Sequence, residues 1–169
     1  MTDQPYRIEP LGKHDRKAFS CGSEPLDRYF KTQVTQDIRR RVAKCLVAID
    51  VATGDFAGFY TLSAGSLALA DLSAASQKAL PRYPIVPAVL MGRLAVATQA
   101  QGRKLGTAML GHAVEYVATG NIGAFGLIVD AKDDAAQRFY ERHGFVAIKD
   151  RQMVLPLETA LMALGLRKP

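Results

Sequence analysis

Leu94-Ala95-Val96-Ala97-Thr98-Gln99-Ala100-Gln101-Gly102-Arg103-Lys104-Leu105-Gly106-Thr107-Ala108-Met109-Leu110 is a β-type run that breaks into a short glycine-containing turn and then an amphipathic helix. A strand, turn and helix in that order turn backbone N–H groups toward one spot. The N–H groups of the first helical turn lack intrahelical acceptors, and the helix dipole favours negative charge there. Such a turn holds a pyrophosphate with few side chains. About thirty residues on, Asp133-Asp134-Ala135-Ala136-Gln137-Arg138-Phe139-Tyr140-Glu141-Arg142-His143-Gly144-Phe145 reads as a capped helix that carries an aromatic pair, stops at a glycine and re-enters a strand.

Together the two segments point to an acyl-CoA transferase, and from these residues the chain resembles the GNAT N-acetyltransferases over most of its length. Their pyrophosphate loop is written Gln/Arg-x-x-Gly-x-Gly/Ala. Here Gln101-Gly102-Arg103-Lys104-Leu105-Gly106 matches at Gln101 and Gly106, with Lys104 in place of the first motif glycine. An ammonium there can offset the missing glycine by charge. The resemblance implies an α/β GNAT fold, a mixed central sheet whose fourth and fifth strands splay apart, with flanking helices. The pantetheine arm of acetyl-CoA would lie between those strands. Implied cofactor-binding residues are Leu94, Ala95, Val96, Gln101, Gly102, Arg103, Lys104, Leu105, Gly106, Thr107 and Phe139.

Composition agrees with residues 1–169 forming a single GNAT acetyltransferase domain. The length and a 49% hydrophobic content allow a full core and are too small for two ordinary domains. No apolar run reaches the roughly 18 residues that span a bilayer, and the polar start Met1-Thr2-Asp3-Gln4-Pro5-Tyr6 has no signal-peptide pattern. The expectation is a cytoplasmic protein with no membrane partner. Cys21 and Cys45 read as reduced packing residues. His14, His112 and His143 show no metal-ligand spacing, so no metal is expected. Asp130 and Asp133 read as turn and helix-cap residues.

The element pattern is as follows. Tyr6–Leu11 is a strand and Pro25–Arg41 a helix, with Leu26, Tyr29, Phe30 and Val34 at helical spacing. Lys44–Val51 and Phe56–Ser66 are strands around the turn signal Thr53-Gly54-Asp55. Leu72–Leu80 is a helical patch, and Pro81–Pro87 a proline-stiffened link excluded from a central strand. Ala88–Ala97 is the next strand, Gly106–Thr119 the helix after the turn, and Ala124–Val129 a buried strand. Asp133–His143 is a helix, Phe145–Ile148 and Gln152–Leu155 a closing strand pair, and Leu157–Leu164 a last helix.

The reaction needs a neutral amine to attack a thioester and a proton to reach the leaving thiolate. The resemblance makes Tyr140 the general acid, since a phenol of pKa near 10 can reprotonate a thiolate of comparable basicity. Adjacent helical residues diverge by about 100°, which lets Phe139 enter the core while Tyr140 faces the cleft. The alternative is that they are simply adjacent aromatics, one of them in the core.

Five stretches narrow the resemblance: Phe19–Phe30, Gly58–Ser63, Leu80–Pro84, Gly92–Val96 and Val129–Asp133. They are similar to the toxin branch of bacterial type II toxin–antitoxin systems. That branch acetylates the α-amine of aminoacyl-tRNA, blocks translation, and is held inactive by a ribbon-helix-helix-type antitoxin. A homodimer stays open. An α-amine has a pKa near 8 that esterification lowers further, so no strong general base is needed. The net charge of +6, from 22 basic and 16 acidic side chains, permits an anionic partner. Arg82, Arg93, Arg138 and Arg142 are the candidate tRNA-binding residues, with Arg39, Arg40 and Arg41 as further candidates, unless that run is only a cation-rich helix end. Two other functions stay open: a GNAT acting on a small amine or protein N-terminus, and a non-catalytic acyl-CoA-binding regulator.

Overall fold

The structure, a computed structural model, describes residues 4–165. Seven strands form one mixed sheet in the order β1-β2-β3-β4-β5-β7-β6. They are β1 (Tyr6–Pro10), β2 (Lys44–Asp50), β3 (Phe56–Ala68), β4 (Ile85–Val96), β5 (Gly126–Asp130), β6 (Val146–Lys149) and β7 (Gln152–Pro156). The helices are α1 (Glu24–Arg28), α2 (Val34–Arg39), α3 (Ala74–Ala79), α4 (Leu105–Ala118), α5 (Asp134–Arg142) and α6 (Leu157–Ala163). The chain divides into two compact units. One runs up to Ser63 and adds Met91–Gly111, and the other holds Ala64–Leu90 and the chain from His112 onward.

In the first unit, β1 and β2 pair antiparallel from Tyr6↔Asp50 to Pro10↔Leu46. Strands β2 and β3 form the expected hairpin, with Asp50 Oδ1 accepting from the N–H groups of Ala52 and Thr53 and Gly54 supplying a φ of +77° in the turn. The expected helix 25–41 is Glu24–Arg39, with a difference in its middle. Tyr29–Gln33 is a π-helical turn between α1 and α2, where the Val34 N–H donates to the Tyr29 carbonyl. Tyr29, Phe30 and Val34 are all buried there. Phe30 stacks on Phe59 with centroids 4.3 Å apart, and meets Phe19 and Phe56 edge-on at 4.8 and 5.2 Å. These rings anchor the helical segment on β3. Each buried phenylalanine contributes about 1.5–3 kcal/mol.

The second unit packs Leu67, Leu72, Val86, Ala88, Ile128 and Val154 into its core. Strand β5 pairs antiparallel with β7 from Gly126↔Pro156 to Asp130↔Gln152, and β7 with β6. The β4–β5 ladder is parallel but short, covering Ala88↔Gly126 to Leu90↔Ile128, and both strands continue past it. The described pairing of β4 with β5 ends at Leu90. Pro87 corrects the sequence reading, because it lies inside β4 and not in a link before it. Its missing N–H costs nothing there: the β5 ladder starts one residue later, and the Pro87 carbonyl accepts from Phe125 N–H at 2.8 Å.

Candidate active site

In the first unit β4 ends at Val96, Thr98–Ala100 makes a 3-10 turn, and Gln101–Lys104 follow as an exposed loop before α4 starts at Leu105. Gly102 has a φ of +79° and Lys104 a φ of +61°. Left-handed residues interleaved with ordinary ones turn successive N–H groups to one side, a concave arrangement that receives anions. The first-turn N–H groups of α4 add to it. The Lys104 backbone takes the conformation for which glycine is normally chosen, at a cost of about 1 kcal/mol for a residue with a side chain.

Gln101 anchors the loop. Its Nε2 donates to the Val96 carbonyl at 3.1 Å and to the Cys21 carbonyl at 3.0 Å. The Val96 carbonyl is thereby engaged within the protein. Thr98 adds a second tie, its N–H and Oγ1 donating to the Ser20 carbonyl at 2.8 and 3.0 Å. A Cβ on Gly58 would stand 2.7 Å from the Ala95 carbonyl and 2.8 Å from Met109 Cε, so only glycine lets β3 lie this close to the Ala95 segment.

Arg93, three residues before Val96, lies with its guanidinium 3.5 Å from the centroid of the Tyr29 ring. The Tyr29 hydroxyl donates to Asp37 Oδ2 at 2.9 Å, and Gln33 Nε2 donates to Asp37 Oδ1 at 3.1 Å. These two hydrogen bonds hold the Asp37 carboxyl below the usual carboxylate range, while burial and the bond to Asp37 push the Tyr29 phenol up. Nothing in the sequence reading joined Tyr29 and Asp37 to Arg93. The signal was a π-helical turn, which no residue pattern announces.

In the second unit Asp133 caps α5, its Oδ1 accepting from Ala136 N–H at 2.8 Å, as expected of a cap. The turn between β6 and β7 holds the same helix: Arg151 meets Asp134 at 2.7 Å and donates to Gln137 at 2.8 Å. The aromatic pair is the reverse of the expectation. Tyr140 is buried, 9% exposed, and Phe139 is half-buried. Tyr140 packs on Phe145 at 5.2 Å, and Phe139 lies 4.6 Å from the His143 ring, whose Nδ1 is 2.7 Å from the Phe139 carbonyl. The helix places Tyr140 inward because Phe145, following the left-handed Gly144, folds back beneath it. Burial pushes the Tyr140 phenol up to about 12, above the near-10 value of a phenol in water. Its hydroxyl makes no hydrogen bond to another described residue, and it is not sealed from solvent.

The first unit thus gathers Arg93, Leu94, Ala95, Val96 and Gln101–Thr107, and the second holds Tyr140, Phe139, Arg82, Arg138 and Arg142. Arg82 is exposed beside Tyr83, which is 69% exposed, and Arg138 and Arg142 are exposed one turn apart on α5. Arg39, Arg40 and Arg41 are exposed at the end of α2. Arg41 has a φ of +60°, and Val42 N–H donates to the Asp37 carbonyl, a helix stop usually made with glycine. Cys21 and Cys45 are not joined in a disulfide, and burial pushes the Cys45 thiol up to about 12, leaving it an inert packing group. Among the described residues no three His, Cys, Asp or Glu side chains gather to hold a metal ion, and no helix is long and apolar enough to cross a membrane.

Comparison with known proteins identifies the family. Residues 43–147 match the acetyltransferase (GNAT) domain family. The chain is 33% identical over 133 residues to the tRNA-acetylating toxin of Mycobacterium tuberculosis, spanning 78% of each chain. It is 27% identical to AtaT in complex with acetyl-methionyl-tRNAfMet, covering 94% of this chain and 99% of that one with a TM-score of 0.85. AtaTR with bound acetyl-CoA is also 27% identical, with coverage of 95% and 98% and a TM-score of 0.79. The chain belongs to the GNAT acetyltransferases, in the branch that contains the tRNA-acetylating toxins.

Proposed function

We propose that this protein is a toxin that transfers the acetyl group of acetyl-CoA to the α-amine of aminoacyl-tRNA and so blocks translation. The observation that carries the cofactor half is the Gln101–Thr107 loop, whose left-handed Gly102 and Lys104 open α4 with an amide-lined concavity. The likeness to the tRNA-acetylating toxin of M. tuberculosis carries the acceptor half. Acetyl-CoA supplies the thioester whose carbonyl carbon the amine attacks.

The roles divide as follows. The N–H groups of Gly102–Thr107, with Arg103 and Lys104, bind the pyrophosphate. Gln101 acts at one remove, because its amide ties the loop to Val96 and Cys21. Leu94, Ala95 and Val96 border the pantetheine, and the Val96 carbonyl also accepts from Gln101. Phe139 packs against the cofactor from α5. Tyr140 stays protonated across the neutral range and donates its proton to the thiolate as the carbon–sulfur bond breaks, while the amine's proton leaves to water. With a phenol at about 12, the resulting phenolate regains a proton at once. Holding both reactants together supplies much of the remaining rate.

Arg82, Arg93, Arg138 and Arg142 contact the tRNA backbone, with Arg39–Arg41 as a further basic edge. The chain works as one GNAT domain, in the cytoplasm where charged tRNA is found. A ribbon-helix-helix-type antitoxin restrains it.

Salt dependence tests the acceptor. Each neutralised phosphate adds to the slope of log affinity against log salt, by about 0.7 to 0.9 per contact. Acetylation of aminoacyl-tRNA should therefore fall steeply from low to moderate salt, and removing Arg82 and Arg93 together should raise KM for aminoacyl-tRNA and flatten that slope. Salt-insensitive rates with an unimpaired double variant would assign the enzyme a small amine instead.

A further inference from the structure

Arg93 is a half-buried cation whose guanidinium lies over the face of the Tyr29 ring and forms no salt bridge with another described residue. The nearby anion, Asp37, accepts from the Tyr29 hydroxyl and the Gln33 amide and acts on Arg93 through space, without a salt bridge between them. A guanidinium gripped by its face keeps its in-plane N–H fork available, the geometry that meets a phosphate or carboxylate with two parallel hydrogen bonds.

Helix geometry explains how Tyr29 and Asp37 come to meet. Residues eight apart on an α-helix diverge by about 80° and do not share a face. The π-helical turn Tyr29–Gln33 inserts one extra residue between them. That insertion brings the pair to within about 20°, as residues seven apart would be in an unbroken α-helix. The 2.9 Å Tyr29–Asp37 bond follows from this shift. A phenol that donates to a carboxylate gains electron density on its ring, and a more negative face holds a cation more firmly.

We propose that Tyr29 and Asp37 are positioning residues that hold Arg93 by its face, so that its N–H fork takes a phosphate near the 3′ end of the acceptor tRNA. This inference rests on the proposed function. Arg93 stands three residues, about 10 Å along the strand, before Val96 at the end of β4, with Ala97–Ala100 still between that end and the pyrophosphate loop, which favours an acceptor phosphate over the cofactor's pyrophosphate. The 3′-phosphate of the cofactor shares the same chemistry, and the measurements distinguish the two.

The test is a double-mutant cycle on the full chain with purified aminoacyl-tRNA and acetyl-CoA. Arg93→Ala should raise KM for aminoacyl-tRNA about ten- to a hundred-fold, the loss of a charge-assisted hydrogen bond. Asp37→Asn and Tyr29→Phe should each raise it about three-fold, with kcat and acetyl-CoA affinity little changed. In the Arg93→Ala background the Asp37→Asn change should have no further effect. Arg93→Lys should remain impaired, because it keeps the charge without the flat fork. Additive effects of Asp37→Asn and Arg93→Ala would overturn the positioning role, as would a shared fall in melting temperature and kcat with KM unchanged. A change confined to acetyl-CoA affinity would overturn the acceptor assignment. If the unaltered enzyme fails to acetylate aminoacyl-tRNA, the functional reading itself falls, an outcome distinct from the other two.

Discussion

At Tyr140 burial and chemistry oppose each other. A phenol pushed up to about 12 is a weaker acid than one in water, yet it is fully protonated wherever the α-amine is neutral. Tyr140→Phe should keep its fold and acetyl-CoA affinity and lose on the order of 10² to 10⁴ in kcat, the usual cost of removing a general acid. Near-normal turnover in that variant would remove Tyr140 from the mechanism. The rate should rise with pH as the amine loses its proton and then level off, with no alkaline fall below about pH 10. The phenol is raised above its unfolded value, so its contribution to stability is complete below about pH 10 and is lost as pH rises toward 12. Lys104 is the second residue with two opposing terms. Lys104→Gly should raise stability by about 1 kcal/mol by removing the left-handed strain, whereas Lys104→Glu should weaken acetyl-CoA binding clearly by reversing the charge. Calorimetry on both variants decides it: if neither changes affinity, the Lys104 ammonium faces away from the phosphates.

Elements were legible where their signals are local. The hairpin around Gly54, the helix after the loop and the Asp133 cap all follow from turn chemistry and apolar period, and each forms near its expected bounds. Pro87 was misassigned because a proline forbids a central strand only where its N–H would be needed, and the start of the β4–β5 ladder is a tertiary fact. The π-helical turn escaped for a related reason: its benefit lies in the Phe30–Phe59 stacking and the Tyr29–Asp37 bond, both made with residues distant in sequence or brought into line only by the turn itself. At the site, the loop residues and Tyr140 stand out in the sequence as candidates, whereas the inward burial of Tyr140 and the anchoring role of Gln101 do not. Gly58 gives an element-scale test. The Ala95 carbonyl that a Cβ would meet is backbone and has little freedom to move, so Gly58→Ala should destabilise by about 1–3 kcal/mol. It should also weaken acetyl-CoA binding by displacing the Leu94–Val96 segment. An unchanged melting temperature would mean that β3 and β4 tolerate separation here.

Across the whole molecule, an excess of six positive charges is balanced between two uses. Arg103 and Lys104 sit at the cofactor loop, while the remaining exposed arginines among the described residues are spread over both units, away from acidic partners except where Arg7 meets Glu9, Arg28 meets Glu24 and Arg151 meets Asp134. That distribution suits a polyanion gripped by its backbone and explains nothing about a small neutral amine. The same holds for Arg41, kept at a helix stop where glycine would be less strained. The central claim is the identity of the acceptor, and mass spectrometry of total aminoacyl-tRNA incubated with the enzyme and acetyl-CoA tests it most directly. The account predicts that the aminoacyl ester of at least one tRNA gains a single acetyl group on its α-nitrogen, and that Tyr140→Phe abolishes most of that product. An aminoacyl-tRNA pool left without acetyl groups by an enzyme that consumes acetyl-CoA on small amines would contradict it.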